Sequence, residues 1–112
     1  MLIYKIFRDA EWQDLQRAGQ TAGAPIDLSD GFIHFSTAQQ ATETAAKHFA
    51  GVEGLVLAAC DSETMGKALT WEVSRGGALF PHLYRELRLD EVVAHWPLPL
   101  VEGLHAFPEV MA

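Results

Sequence analysis

Several features are scarce in this chain, and each scarcity excludes a class of protein. There is one cysteine among 112 residues, Cys60, so no disulfide can form within the chain. No apolar run approaches the ~20 residues that a membrane-spanning helix needs, and the N-terminus lacks a signal-peptide pattern. A lone cysteine in an apolar run is typical of a small buried side chain in a reducing compartment. We therefore expect a cytoplasmic protein that does not associate with membranes.

Basic residues are also scarce. Eight Lys and Arg stand against fifteen Asp and Glu, which gives a formal net charge of −7. This balance argues against an extended nucleic-acid surface. The net charge does not exclude a small basic patch around Arg85 and Arg88, and a single nucleotide is still a candidate ligand. Composition says nothing about the oligomeric state.

Several catalytic sequence motifs are missing. The chain has no G-x-S-x-G elbow, no P-loop and no dinucleotide-binding glycine pattern. Its five histidines do not follow metal-ligand spacings such as H-x-x-x-H; they are His34, His48, His82, His95 and His105. The spacing therefore predicts no metal. A metal-dependent hydrolase is left as a weak alternative that would need His34, His82 and Glu72 to meet in space.

The residues that are present indicate one domain, 1–112, with an α+β fold. The hydrophobic fraction is 49%, enough for a real core. Strands are predicted over 2–7, 54–59, 69–73 and 92–98, and they outnumber the helices, so we expect a mostly antiparallel or mixed sheet. Residues 19–30 carry Gly, Pro, Asp and Ser and are expected to form a loop. Pro81 predicts an edge strand, a bend or a loop for its segment.

The chain is organised around residues 30–36, Asp-Gly-Phe-Ile-His-Phe-Ser. On a strand, Phe32, His34 and Ser36 share one face, while the two alternate apolar residues point into the core. Ser36 and Gln39 fit a capping box, so a helix is predicted to follow with Ser36 as its N-cap. That cap alone explains Ser36. For His34, a ligand-binding role and a buried, satisfied imidazole are equally plausible.

Three more side chains could carry chemistry. His82 and Tyr84 share a face of an extended segment that begins at Pro81, an arrangement that suits stacking on a flat ligand. Glu72 lies beside Trp71 on a predicted strand, where a raised pKa and an acid/base or hydroxyl-binding role are possible, but the spacing favours an ordinary solvent-facing carboxylate. For His82 and Tyr84, the alternative is a core tyrosine with a partly exposed histidine.

Two motifs together resemble the bacterial domain-of-unknown-function family 952. They are Gly-Phe-Ile-His-Phe-Ser at 31–36 and Phe-Pro-His-Leu-Tyr at 80–84, with Gln40 and Glu72 between them. The resemblance covers nearly the whole chain, and the combination is specific. One departure is Arg85, where the family is expected to have glycine, so the turn after Tyr84 should differ.

The resemblance implies a fold similar to that of ADP-ribosyltransferases, which include the RNA 2′-phosphotransferases. Such a fold has a split, strongly bent sheet with short helices and a cleft that holds NAD. His34 and Ser36 match the His-x-Ser pair that contacts and supports the dinucleotide there. Tyr84 is the implied counterpart of a residue that stacks on nicotinamide. Glu72 is the nearest candidate for the glutamate that binds a ribose hydroxyl and stabilises an oxocarbenium-like transition state.

We therefore predict a cleft for a nucleotide or NAD-like ligand. His34, Ser36 and Tyr84 would bind the ligand, and Glu72 and His82 would be catalytic if ADP-ribosyl or related group transfer occurs. NAD is the only cofactor that the resemblance implies. A non-catalytic binding module that kept the fold is the main alternative, because fold similarity does not establish an activity.

Overall fold

Three long strands form the larger sheet of the computed structural model, which describes residues 1–111. They are β1 (Leu2–Phe7), β4 (Leu55–Asp61) and β8 (Val92–Leu98), in the order β1-β4-β8, and both pairings are antiparallel. The central strand β4 is apolar and buried along most of its length, as a strand covered on both faces must be. Burial raises the pKa of the Cys60 thiol to about 12, with a smaller contribution from the charge of Glu91, so this cysteine is an unreactive core residue.

Two helices pack against this sheet. Helix α1 (Asp9–Ala18) follows β1 and ends at Gly19, whose left-handed conformation stops the helix. Helix α3 (Ala38–His48) packs on β1, and its small buried alanines, Ala41 and Ala45, permit the close approach. No helix among residues 1–111 is long and apolar enough to span a bilayer.

A second sheet contains β3 (Ile33–His34), β6 (Leu79–Leu83) and β5 (Leu69–Val73), in the order β3-β6-β5, again antiparallel. The prediction that Pro81 would exclude a central strand is wrong, because β6 lies in the middle. The carbonyl of Pro81 accepts the Phe35 N–H at 3.0 Å, so the missing N–H of Pro81 faces the same side. The regular hydrogen-bond ladder between β3 and β6 ends at His34, so the missing N–H of Pro81 lies beyond it. The ladder between β5 and β6 lies on the other side of β6 and loses no hydrogen bond.

The predicted loop at 19–30 is also structured. Strand β2 (Gln20–Thr21) pairs with β7 (Leu87–Arg88), and Pro25–Asp30 forms the short helix α2. Pro25 occupies the first turn, where a missing N–H costs nothing. The turn residues that suggested a loop are therefore the start and stop signals of a short helix.

The helix cap after β3 lies one residue later than predicted. Thr37, not Ser36, is the N-cap of α3, and its hydroxyl accepts the Gln40 N–H at 3.3 Å. The Gln40 side chain accepts the Thr37 N–H in return at 3.0 Å, which completes the capping box. Ser36 is consequently released from capping and is available for another role.

One pair of backbone hydrogen bonds joins the two three-stranded sheets. Tyr4 of β1 and Ser36 exchange N–H···O bonds of 2.7 and 2.8 Å. Away from this bridge the sheets separate, and a cleft opens between them. A small ribbon of β9 (Leu100–Val101) and β10 (Leu104–His105) completes the antiparallel α+β architecture.

Candidate functional site

The cleft between the sheets has a volume of about 770 Å³. Of the residues proposed from sequence, His34, Ser36 and His82 line it. Glu72 and Tyr84 are not among its lining residues in the part of the chain that the structure describes, and they connect to it through His82. The structure thus brings all five side chains into one neighbourhood, with three of them on the cleft wall.

A buried carboxylate, Asp27, organises the His34 side of the cleft. Its Oδ1 accepts the backbone N–H of His34 at 3.1 Å and lies 2.6 Å from the ring Nδ1. Its Oδ2 accepts the Ala24 N–H at 2.7 Å and lies 2.9 Å from Nζ of Lys5. Burial by itself would raise the pKa of Asp27, but the hydrogen bond from His34, the charge of Lys5 and the remaining hydrogen bonds lower it to about 2.

His34 is held at both ring nitrogens. Because the ionised Asp27 can only accept, Nδ1 of His34 carries a proton. Nε2 lies 3.0 Å from the Asp30 carboxylate, which stands at the end of α2 and is 41% exposed. The ring orientation is therefore fixed from the buried side, while Nε2 faces a carboxylate that is partly open to solvent.

Ser36 lies at the bottom of the cleft in a chain of hydroxyl and guanidinium groups. Its Oγ is 3.0 Å from Oγ1 of Thr44, which also accepts from Nη2 of Arg75 at 3.1 Å. Arg75 is further held by the Glu43 carboxylate at 3.3 Å and by the ring of Phe80, 5.0 Å from its guanidinium carbon. This arrangement presents hydroxyls and a cation to the same space.

Beside His34 on the same sheet, His82 is fixed by Glu72. The Glu72 Oε1 lies 2.7 Å from Nδ1 of His82 and accepts the hydroxyl of Tyr84 at 2.6 Å. These two hydrogen bonds lower the pKa of Glu72, and the bond to Glu72 raises the pKa of Tyr84. The raised pKa considered for Glu72 is therefore not found, because Trp71 lies on the other face of β5 and the carboxylate meets two donors. Glu72 is an ionised acceptor at neutral pH.

Nε2 of His82 is buried and has no hydrogen-bond partner among residues 1–111. The ring is 4% exposed and stacks on Phe32 with centroids 4.1 Å apart. Phe32 also contacts the rings of His34 and Tyr84, at 4.6 and 5.2 Å. A buried nitrogen left without a partner is costly unless something else satisfies it.

Metal binding receives no support from the geometry. No three His, Cys, Asp or Glu side chains within residues 1–111 are placed to hold one ion. The rings of His34 and His82 do meet, with centroids 5.3 Å apart, but each turns Nδ1 to its own carboxylate. The chemistry available here is hydrogen bonding by oriented imidazoles and carboxylates.

Comparison with known proteins identifies the family. Residues 6–95 match the family described as "Protein of unknown function (DUF952)". The chain belongs to this family. Its fold is similar to the crystal structure of protein CC0527 from Caulobacter crescentus, at 47% sequence identity and a TM-score of 0.95, over 99% of this chain and 98% of that one.

The solution NMR structure of the same Caulobacter protein is also similar. It is 51% identical and gives a TM-score of 0.83 over 92% of this chain and 90% of that chain. A search of curated proteins found no match. These comparisons identify the family and its α+β fold, while the chemistry of the cleft has to be argued from its residues.

Arg85 and Arg88 are each paired with an acid in the structure. Arg85 forms a two-pronged ion pair with Glu91, both contacts 2.8 Å long, and Arg88 lies 3.2 Å from Asp90. These acids neutralise the two arginines, so the local basic patch considered from sequence is not an open anion site.

Sequence reasoning missed Asp27, Lys5, Asp30 and Arg75 as parts of the site. Asp27 was hidden because its segment reads as a loop. The pattern that could have revealed it is Ala-Pro-x-Asp, which places a carboxylate at the third helical position after an N-terminal proline. Lys5 sits inside a strand that is otherwise apolar, and a buried lysine needs a buried acid.

Proposed function

We propose that this chain binds NAD or a related nucleotide in the cleft, and that its split antiparallel sheets form an ADP-ribosyltransferase-like fold. The proposal includes the cytoplasmic location expected from sequence, where such ligands occur. In the bound state, Nε2 of His34 would hold a ligand group in place of Asp30, and Ser36 would support it from below.

The size and shape of the cleft support a ligand of this class. Small-molecule sites commonly measure ~300–1,000 Å³, and this one measures about 770 Å³ in a chain of only 112 residues. It opens where the two sheets diverge from the Tyr4–Ser36 bridge. A split of this kind is what the ADP-ribosyltransferase-like fold requires.

The cationic groups of the cleft support a phosphate-bearing ligand. Arg8 lies 4.7 Å from the ring of Phe49, and Arg75 lies 5.0 Å from that of Phe80, and all four line the cleft. Guanidinium groups bind phosphate oxygens, and aromatic rings stack on bases. Each arginine also has an acidic neighbour, Glu11 at 3.8 Å from Arg8 and Glu43 at 3.3 Å from Arg75, so a phosphate would bind by taking the place of these carboxylates.

The observation that carries the proposal is the locked His34 ring. Asp27 binds a lysine, a backbone N–H and a histidine, and together these contacts fix one imidazole at the cleft wall. A buried ion pair of this kind contributes little net stability compared with apolar packing. Its use is to hold the ring in one orientation, which is a requirement of binding.

Calorimetric titration with NAD and ADP-ribose tests the proposal. We expect binding to the wild-type chain and at least ~10-fold weaker binding to His34→Ala, the loss for one well-oriented hydrogen bond. The matched control is His95→Ala, since His95 is exposed on β8 outside the cleft. Absence of binding to the wild type, or equal affinities for the wild type and His34→Ala, would contradict the proposal.

Group transfer from NAD and binding without turnover are distinguished by one feature. Glu72 is the candidate to stabilise an oxocarbenium-like transition state. Its Oε1 is engaged by both His82 and Tyr84, and among residues 1–111 it is not a lining residue of the cleft but contacts one, His82. That geometry favours a binding module that kept the fold. Labelled NAD that yields free nicotinamide, with loss of this release in Glu72→Gln, would favour transfer instead.

A further inference from the structure

We propose that Nε2 of His82 is the hydrogen-bond acceptor for a hydroxyl group of the ligand, so the cleft takes a ribose-type polyol rather than a bare anion. This inference rests on the proposed cleft and extends it, because it names the chemical group recognised next to His34 on the same sheet.

The contact with Glu72 determines which ring nitrogen of His82 carries the hydrogen. Two donors lower the pKa of Glu72, so its carboxylate is ionised near neutral pH and can only accept. With Nδ1 of His82 at 2.7 Å from Oε1, that nitrogen must carry the hydrogen. In the neutral ring Nε2 is then a lone pair and can only accept.

No protein group within residues 1–111 satisfies this lone pair, and Nε2 is buried. Phe32 covers the ring face with an interplanar angle of 20°, so rotation of the ring to find a partner would lose both this stack and the bond to Glu72. A buried acceptor that is fixed and unpaired is a position where a ligand donor gains the most.

The ligand group that satisfies Nε2 of His82 has to be a hydrogen-bond donor. Phosphate and carboxylate oxygens are acceptors near neutral pH and cannot satisfy a lone pair. An alcohol hydroxyl can donate to Nε2 and accept elsewhere at once. His82 lies opposite His34 in the β3–β6 ladder, with ring centroids 5.3 Å apart, so one sugar could contact both rings.

Two residues make this arrangement specific. Tyr84 donates to the same Oε1 that receives Nδ1–H, which holds the carboxylate in position. Glu72→Ala removes the acceptor of Nδ1–H altogether. The ring of His82 would then lose the contact that fixes its tautomer, and the lone pair of Nε2 would no longer be held toward the ligand.

The test uses ¹⁵N-labelled full-length protein and long-range ¹H–¹⁵N spectra of the histidine rings. In the free wild type, His82 should show a hydrogen on Nδ1 and a bare Nε2. Ribose 5-phosphate should shift the Nε2 resonance toward that of a hydrogen-bonded nitrogen, and methyl phosphate, which has no alcohol hydroxyl, should not. A hydrogen on Nε2 in the free protein, or equal responses to the two probes, would overturn the inference.

The affinity arm uses Glu72→Ala with Glu53→Ala as a control, since Glu53 is an exposed acid outside the cleft. We expect ribose 5-phosphate to bind Glu72→Ala about 10-fold more weakly, the loss for one well-oriented hydrogen bond, and Glu53→Ala to bind like the wild type. Equal affinity of Glu72→Ala and wild type would overturn the inference.

The two proposals can fail separately. If NAD and ADP-ribose bind but the Nε2 resonance of His82 does not respond, the nucleotide proposal stands and this inference is wrong. If neither nucleotide binds but ribose 5-phosphate shifts Nε2, the inference stands and the nucleotide proposal is wrong.

Discussion

His34 and His82 are partners in one antiparallel ladder, yet they are supported in opposite ways. Each turns Nδ1 to a carboxylate, at 2.6 Å for Asp27 and 2.7 Å for Glu72. Asp27 is 1% exposed and ion-paired with Lys5, whereas the Glu72 side chain is 38% exposed and held by Tyr84. At Nε2 the relation reverses. Nε2 of His34 meets the exposed Asp30, whereas Nε2 of His82 is buried and has no partner in the part of the chain that the structure describes.

This difference shows how a small domain can divide stability and recognition between two similar groups. The carboxylate of the His34 pair is part of the folded core, so damage there should appear first as loss of stability. The carboxylate of the His82 pair lies near solvent, so damage there should appear in ligand binding with little effect on folding. The predictions below follow that order, from the largest effect to the smallest.

Asp27→Asn should give the largest effect. It leaves Lys5 buried without its counter-charge, and breaking a buried pair in this way costs about 3–5 kcal/mol. The free energy of unfolding in urea measures the loss. Asp30→Asn is the matched control, because its half-exposed carboxylate should contribute less than about 1 kcal/mol. Equal losses in the two variants would mean that Asp27 is not the structural carboxylate.

The pH dependence of stability should report the same group. Folding lowers the pKa of Asp27 from 3.8 to about 2. The ionised carboxylate therefore stabilises the fold by about 2 kcal/mol at any pH above about 4. This contribution decreases as the pH falls from about 4 to about 2 and is absent below that range. A carboxyl-carbon NMR titration that places the Asp27 midpoint near 4 would refute the assignment.

Thr37→Ala and Ser36→Ala separate the helix cap from the cleft. Thr37 caps α3, so its replacement should cost about 1 kcal/mol of unfolding free energy with ligand affinity retained. Ser36 bonds Thr44 inside the cleft, so its replacement should weaken ligand binding and leave the helix content of the circular dichroism spectrum unchanged. If Ser36→Ala instead lowers the helix content, then Ser36 is the N-cap of α3, as predicted from the sequence.

Tyr84→Phe should have the smallest effect on stability, with no resolvable change in the urea midpoint. It removes the first of the two donors to Glu72, so the pKa of that carboxylate should rise toward its ordinary value. A carboxyl-carbon NMR titration of Glu72 measures the change. An unchanged midpoint would show that the Tyr84 hydroxyl does not bind Glu72 in solution.

Much of the fold could be predicted from local patterns. The strand 69–73 and the end of α1 at Gly19 follow from apolar content and a glycine stop signal. The alternation in residues 30–36 also gave the right faces, since Ile33 and Phe35 are buried in the core. These features depend on neighbours along the chain, which a sequence displays directly.

The rest depends on contacts between distant residues. Whether Pro81 can sit in a central strand is decided by where the neighbouring ladder ends, at His34. The role of Asp27 depends on Lys5, 22 positions earlier, and neither residue alone indicates a site. Ser36 and Thr37 are equally good caps in sequence, and the bridge from Ser36 to Tyr4 selects Thr37.

A backbone ¹H–¹⁵N NMR titration with ADP-ribose tests the central claim most directly. If the cleft is the ligand site, the amide resonances of His34, Ser36 and Arg75 should shift together with saturation at a single affinity. Those of Trp71 and Val73, exposed on the other face of β5, should stay in place. No shifts at all, or shifts confined to residues outside the cleft, would contradict the account.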